Sequence, residues 1–205
     1  MIRSLRRAAD RRRQADGRYG RLFGAYAGDE MVSIDCETTG LDTRRAELIS
    51  IAAVAFEGER VLTSGALDLR LRPPATLSGD SIKVHRLRGV DLDDGEALGE
   101  ALEKFLDFVG NRPLLGWCID YDLAVIDRQL RPLFGFGLPN PSLDMARIYR
   151  REMHRTQPQR EPVVSFEAAA EALGVPVMGR HTALGDAVTT ALMYIRLKQG
   201  ALVAR

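Results

Sequence analysis

From Met31 onward the spacing of apolar positions predicts first a run of strands and then alternating helices and strands. Met31–Cys36 is short and apolar, Glu47–Glu57 is rich in Ile, Val and Ala, and Arg60–Arg70 alternates until Pro73 and Pro74 stop it. Gly58 beside Glu59 suits a tight turn between the second and third segments, so the three read as an antiparallel meander. The period then becomes helical, with Leu98, Leu102, Phe105 and Leu106 on one stripe of a helix over Glu96–Val109. Pro113–Cys118 reads as a buried strand and Tyr121–Arg131 as a second helix. Pro139–Asp144 predicts a short strand leading into a basic helix around Ala146–His154, followed by a polar loop over Thr156–Pro162. Two helices close the chain: Ser165–Leu173, capped by Ser165 and stopped at Gly174, and Thr182–Lys198, with Leu184, Val188, Leu192 and Ile195 on one stripe. No internal repeat and no dividing linker is visible.

Length and composition narrow the class. The 205 residues suit one domain, and apolar (45%) and charged (28%) fractions are ordinary for a globular protein. A formal charge of +1 gives no global field to hold a long polyanion, which leaves room only for a local nucleic-acid site. Two cysteines, Cys36 and Cys118, are too few for a disulfide framework, and no secretory signal is present, so a reduced cytoplasmic protein is expected. Apolar runs such as Ile49–Phe56 fall far short of the ~20 residues of a membrane helix. Eight arginines crowd between Arg3 and Arg21. Residues 1–28 therefore read as an arginine-rich extension, a solvated helix packed on a domain spanning 29–205 rather than a basic arm for nucleic acid.

The sharpest chemical signal is Ile34-Asp35-Cys36-Glu37-Thr38-Thr39-Gly40 at the end of the first strand. Strand alternation puts Asp35 and Glu37 on one face, where two like charges call for a hard cation. A second signal is His181-Thr182-Ala183-Leu184-Gly185-Asp186. Positions five apart on a regular helix point about 140 degrees away from each other. His181 therefore belongs on the preceding loop beside Gly179, with Thr182 as N-cap and Asp186 in the first helical turn. Between the two, Gly116–Asp122 joins a strand to a helix, with Asp122 a candidate site carboxylate and Asp120 a candidate N-cap.

Asp35, Glu37, Asp122, His181 and Asp186, in that order and spacing, resemble the DEDDh 3'-5' exonuclease family, the group of the DNA polymerase III epsilon subunit and ribonuclease T. The similarity spans Met31 to Ile195 and includes Asp35–Leu41, the pair Tyr121-Asp122, and Ser81-Ile82-Lys83-Val84-His85 after the third strand. It implies a ribonuclease H-like α/β fold, a mixed five-stranded sheet of three antiparallel strands and then parallel ones, flanked by helices. It also implies that Asp35, Glu37, Asp122 and Asp186 hold two divalent cations, Mg or Mn, and that His181 deprotonates the attacking water. Two such ions ~4 Å apart stabilise both the entering and leaving oxygens of a phosphodiester displacement. Thr38, Thr39 and Leu41 are implied to hold the terminal nucleotide.

The chain departs from the family where Trp117 and Cys118 replace a frequent His-Asn pair. Trp117 reads either as a stacking platform for a base or as a core tryptophan at a strand end. Arg147, Arg150, Arg151 and Arg155 form a basic cluster, read as phosphate contacts or as a solvated face. His85 and His154 receive no role. The expected substrate is the 3' end of single-stranded DNA or RNA, with DNA placed ahead of RNA and nucleoside 5'-monophosphates as products. The competing readings are a polymerase-associated or nucleic-acid-end binding module with little or no activity, and a metal-dependent phosphatase of small nucleotides. Because the chain ends soon after its last helix, docking to a polymerase or another replication or repair protein is expected to use the arginine-rich segment.

Overall fold

The computed structural model describes residues 2–77, 79, 82, 83, 86–159 and 164–202. Ser81, Val84 and His85 of the segment after the third strand, and Arg160–Pro162 of the polar loop, lie outside the described residues.

The core strand β1 (Met31–Thr38) runs antiparallel to β2 (Leu48–Glu57) from Met31 opposite Phe56 to Thr38 opposite Leu48, with a register slip between Glu37 and Thr38. The expected third strand is divided in two, β3 (Arg60–Val61) and β4 (Leu67–Arg70), both paired antiparallel with β2. Val61 lies opposite Phe56 and Leu67 opposite Ala53, so six steps along the third segment cover three along β2. The surplus residues form a 3-10 turn at Thr63–Gly65. Beyond β1, β5 (Leu114–Gly116) and β6 (Ser142–Asp144) add in parallel, giving the order β3-β2-β1-β5-β6 with β4 also on β2. The mixed ribonuclease H-like sheet thus holds as expected, with six strands among the described residues instead of five.

Alternation along β1 sorts the two faces. Val32, Ile34 and Cys36 pack with Ala101, Leu102, Phe105 and Leu106 of α3 (Leu98–Val109) and Val125 and Ile126 of α4 (Asp120–Phe134). The opposite face carries α5 (Met145–Thr156), α6 (Phe166–Ala172) and α7 (Ala183–Lys198), packed through Met145, Tyr149, Phe166, Ala191 and Met193 with Leu115 and Phe56. Each of these large apolar side chains contributes about 1.5–3 kcal/mol of burial. Asp35 and Glu37, on the other parity from Ile34, share the α7 face. The predicted caps form: Ser165 accepts from the Ala168 amide at 3.2 Å and Thr182 from the Gly185 amide at 3.2 Å. A cap not anticipated is Asp144, which accepts from the Arg147 amide at 3.1 Å. Asp120 is not an N-cap; Ile119 occupies that position without a side-chain bond, and Asp120 opens the helix itself.

The arginine-rich segment is helix α1 (Ile2–Gln14), and a single turn, α2 (Gly89–Leu92), precedes α3. Arg6, Arg7, Arg11 and Arg12 are exposed, whereas Asp10 is buried and pairs with Arg13 and, at 3.2 Å, with Arg131 of α4. Tyr19, Leu22 and Phe23 enter the α3/α4 core, with Tyr19 against Phe134 and Phe136 at ring distances of 5.6 and 5.3 Å. Among the described residues no helix is long and apolar enough to cross a membrane.

Candidate active site

Three carboxylates from two elements converge where β1 meets the first turn of α7. One ligand oxygen each from Asp35, Glu37 and Asp186 lie within 4.8 Å of one another. β1 supplies two of them by alternation, and α7 supplies the third one turn after its Thr182 cap. Asp122 arrives from the other side of the sheet, in the first turn of α4, and is 5% exposed. Its charge acts on Asp35 more strongly than that of Asp186 or Glu37. It stands outside the tight trio because α4 packs on the Cys36 face of β1, opposite α7.

Burial and mutual repulsion dominate this cluster. Burial, reinforced by the charges of Asp122, Asp186 and Glu37, raises the Asp35 carboxyl well above its ordinary range. Glu37 is pushed up to about 7 by burial and by Asp186. Asp122 is also pushed up to about 7 by burial, against the pull of the Asp122 and Cys36 amides and the Cys36 thiol. Asp186 is raised by burial, and Arg180 opposes the rise. Its Oδ1 is buried without a hydrogen-bond partner among the described residues. A group of hard oxygen donors that repel one another, one of them with an orphaned oxygen, is a donor set that fits a divalent cation.

The loop before α7 holds His181 beside this cluster. Gly179 and His181 have φ of +66° and +63°, left-handed values that turn the chain sharply around Arg180. The His181 amide donates to Asp186 Oδ2 at 3.3 Å, which ties the loop to a site carboxylate. Behind it, the Met178 amide donates to the Thr189 hydroxyl at 2.9 Å, and that hydroxyl donates to the Gly185 carbonyl at 2.8 Å. His181 lies on this loop as its spacing to Asp186 requires. It lines a cleft of about 780 Å³ shared with Ser50, Asp68, Arg70 and Met178.

The remaining expected residues are distributed unevenly. Thr38 shares its hydroxyl with Tyr121 at 2.6 Å and donates to the Gly40 carbonyl at 3.0 Å. Thr39 accepts from the Glu47 amide at 3.0 Å, which braces the turn after β1. Leu41 is 90% exposed at the tip of that turn. Trp117 is half-buried with its ring edge-on to Phe166 at 5.5 Å. Cys118 has φ +55°. Asp120, half-exposed, pairs with Arg147 at 2.6 Å, whereas Asp122 is the aspartate of the two whose charge acts on Asp35. Arg155 pairs with Glu152, while Arg150 and Arg151 are exposed.

Two residues at the site escaped the sequence reading. Arg180 reaches Asp186 Oδ2 through Nη1 at 2.5 Å and Glu167 through Nε at 2.6 Å, and its guanidinium lies 4.4 Å from the Phe166 ring centre. Gly185 packs against the carbonyls of Met178 and Gly179. The adjacency of Arg180 to His181 was the available signal for the first, and the glycine inside a predicted helical turn for the second.

Comparison with known proteins identifies the family and the fold. The profile of the family described as Exonuclease (RNase_T) matches residues 32–194. The chain is 30% identical over 169 residues to DNA polymerase III subunit epsilon of Aquifex aeolicus, covering 81% of this chain and 79% of that one. It is 31% identical over 121 residues to oligoribonuclease of Streptomyces griseus, covering 53% and 60%. Among solved structures, E. coli ExoI in a complex with ssDNA superposes with a TM-score of 0.73 at 16% identity, covering 85% of this chain and 41% of that one. The cell-death related nuclease CRN-4 gives 0.72 at 18%, covering 85% and 66%. The chain thus spans less than half of ExoI, and 23% of the epsilon-like protein of Rhodobacter capsulatus that it also matches. With a family profile matched over most of its length and a fold shared with these nucleases, the chain belongs to the RNase_T exonuclease family and is a 3'-5' exonuclease.

Proposed function

We propose that the protein removes nucleotides from the 3' end of single-stranded nucleic acid, DNA ahead of RNA, releasing nucleoside 5'-monophosphates. In this reading Asp35, Glu37, Asp122 and Asp186 hold two divalent cations, Mg or Mn. The observation that carries it is the convergence of Asp35, Glu37 and Asp186, one carboxylate oxygen each within 4.8 Å, together with an Asp186 Oδ1 that has no hydrogen-bond partner among the described residues. When bound, such cations polarise the attacking water and stabilise charge on the entering and leaving oxygens. The chain's own residues do the rest. His181, held on a left-handed loop beside Asp186, takes the proton of the attacking water. The turn Thr38–Leu41, braced by Tyr121 and Glu47, receives the terminal nucleotide, with the exposed Leu41 against its base. Trp117, half-buried and T-shaped against Phe166, serves as a stacking platform for a base.

The division into an extension, 1–28, and an exonuclease domain, 29–205, fits the same reading. Asp10, Tyr19, Leu22 and Phe23 anchor the extension, which presents Arg6, Arg7, Arg11 and Arg12 outward to a partner. The likeness to polymerase III epsilon supports a polymerase or another cytoplasmic replication or repair protein as that partner.

The test uses 5'-labelled DNA, RNA and mismatched duplex side by side, with Mg, with Mn and with chelator. A metal-dependent ladder shortening from the 3' end is expected, strongest on single-stranded DNA and abolished by Asp35→Ala. The absence of a ladder with either metal, or a ladder that survives the substitution, overturns the assignment.

A further inference from the structure

The cation that meets the carboxylate trio, among the described residues, belongs to the protein itself. Arg180 donates through Nη1 to Asp186 Oδ2 at 2.5 Å, and its charge opposes the raised carboxyls of Asp35, Glu37 and Asp186. Like charges packed this closely destabilise a fold unless a cation offsets them, and the guanidinium is positioned to do so. It has a second seat as well. Nε donates to Glu167 Oε1 at 2.6 Å, and the guanidinium plane lies over the buried Phe166. Release of Asp186 therefore leaves the side chain anchored at α6. The same residue sits between Gly179 and His181, the two left-handed positions of the loop. Whatever holds Arg180 also holds the backbone that carries His181.

We propose that Arg180 is a built-in counter-ion of the metal site, a positioning residue that neutralises Asp186 until a divalent cation displaces it onto Glu167 and Phe166. Arg180 then sets the metal affinity and links metal loading to the setting of the His181 loop. The inference rests on the proposed metal-binding role of the trio. An ordinary structural ion pair makes the opposite prediction, because it would orient Asp186 for the metal and its loss would weaken binding. A lysine separates the device from charge alone: an ammonium keeps the charge but cannot present a planar fork to Asp186 and Glu167 at once.

The experiment is Mn affinity of the full chain, read from free Mn by electron paramagnetic resonance, for wild type, Arg180→Gln, Arg180→Lys and Glu167→Gln. Displacement predicts Mn binding about five- to tenfold tighter in Arg180→Gln, and severalfold weaker binding in both Arg180→Lys and Glu167→Gln, each of which keeps a cation on Asp186 but loses the second seat. Unchanged or weaker binding in Arg180→Gln overturns the proposal. So does a gain in Arg180→Gln with Arg180→Lys matching wild type, which assigns the effect to charge alone. If the variants do not fold, the wild type still decides through nitrogen-detected NMR of the guanidinium during Mg titration. Hindered rotation about Cζ–Nη1 should be released at saturation, and rotation hindered throughout overturns the displacement. A wild type that binds no Mn removes the metal reading itself, whereas normal Mn binding with no gain in Arg180→Gln removes only the role of Arg180.

Discussion

Replacing Gly185 by Ala should disable the enzyme while leaving it folded. Gly185 lies in the first turn of α7, one residue before Asp186, and the carbonyls of Met178 and Gly179 pack directly onto its Cα. A Cβ there falls far inside contact distance of both carbonyl oxygens and 2.7 Å from Thr182 Oγ1. Carbon–oxygen contacts settle at about 3.3–3.6 Å, so the loop must retreat by at least ~1 Å. The obstacles are backbone atoms, which cannot swing away as a side chain would. The displaced segment carries Arg180 and His181, and a shift of ~1 Å in catalytic geometry costs on the order of a hundredfold in rate. Helix propensity favours Ala over Gly by about 1 kcal/mol, which offsets part of the steric cost to the fold. The expected result is kcat on single-stranded DNA reduced by about two orders of magnitude, with far-ultraviolet circular dichroism unchanged and the α7 cap weakened by loss of the Thr182 geometry. Activity within threefold of wild type would refute the claim that this close packing sets the His181 loop.

Three other outcomes follow from the site. Cys118 holds φ +55°, a conformation that costs most L-residues roughly 1–2 kcal/mol and asparagine less, so Cys118→Asn should raise the thermal midpoint in chemical and thermal melts; a fall would contradict this. Glu37, raised from 4.5 to about 7, contributes stability that is full below about pH 4.5 and is lost as pH rises through about 7. Glu37→Gln should therefore stabilise the metal-free protein relative to wild type by an amount that grows between pH 5 and 8 toward about 3 kcal/mol, and a pH-independent difference in denaturant midpoints would sink the burial argument. Asp122→Asn should abolish nuclease activity while Asp120→Asn, which loses only an exposed ion pair with Arg147, leaves it within about twofold; equal losses would mean that Asp122 is not the site carboxylate.

Much of this architecture is written locally, and what is not depends on distant residues meeting. Asp35 and Glu37 share a face because strand alternation is a short-range rule, and His181 must leave the helix because five residues do not return to one side of it. Ser165, Thr182 and Gly174 mark helix ends through chemistry confined to a few residues. The split of the third strand was hidden, since Arg60–Arg70 keeps its alternation and only pairing with β2 exposes the surplus at Thr63–Gly65. Asp120 and Asp122 could have been separated in advance: two steps on a helix turn the side chain by about 200 degrees, so only one can face the carboxylates. Adjacency to His181 flags Arg180 itself, but its pairing is hidden, because its partner Glu167 and its platform Phe166 come from another helix. The left-handed backbone of Cys118, where the resemblance puts a frequent asparagine, is likewise invisible in the spacing, and it is a conformation that asparagine adopts more readily than cysteine.

The measurement that bears most directly on the metal-dependent reading is anomalous diffraction from crystals of the protein soaked in Mn. Two peaks ~4 Å apart are predicted, one enclosed by Asp35, Glu37 and Asp186 and the other beside Asp35 toward Asp122, both lost in Asp35→Ala crystals. Mn bound elsewhere with no density among Asp35, Glu37 and Asp186 would contradict the account.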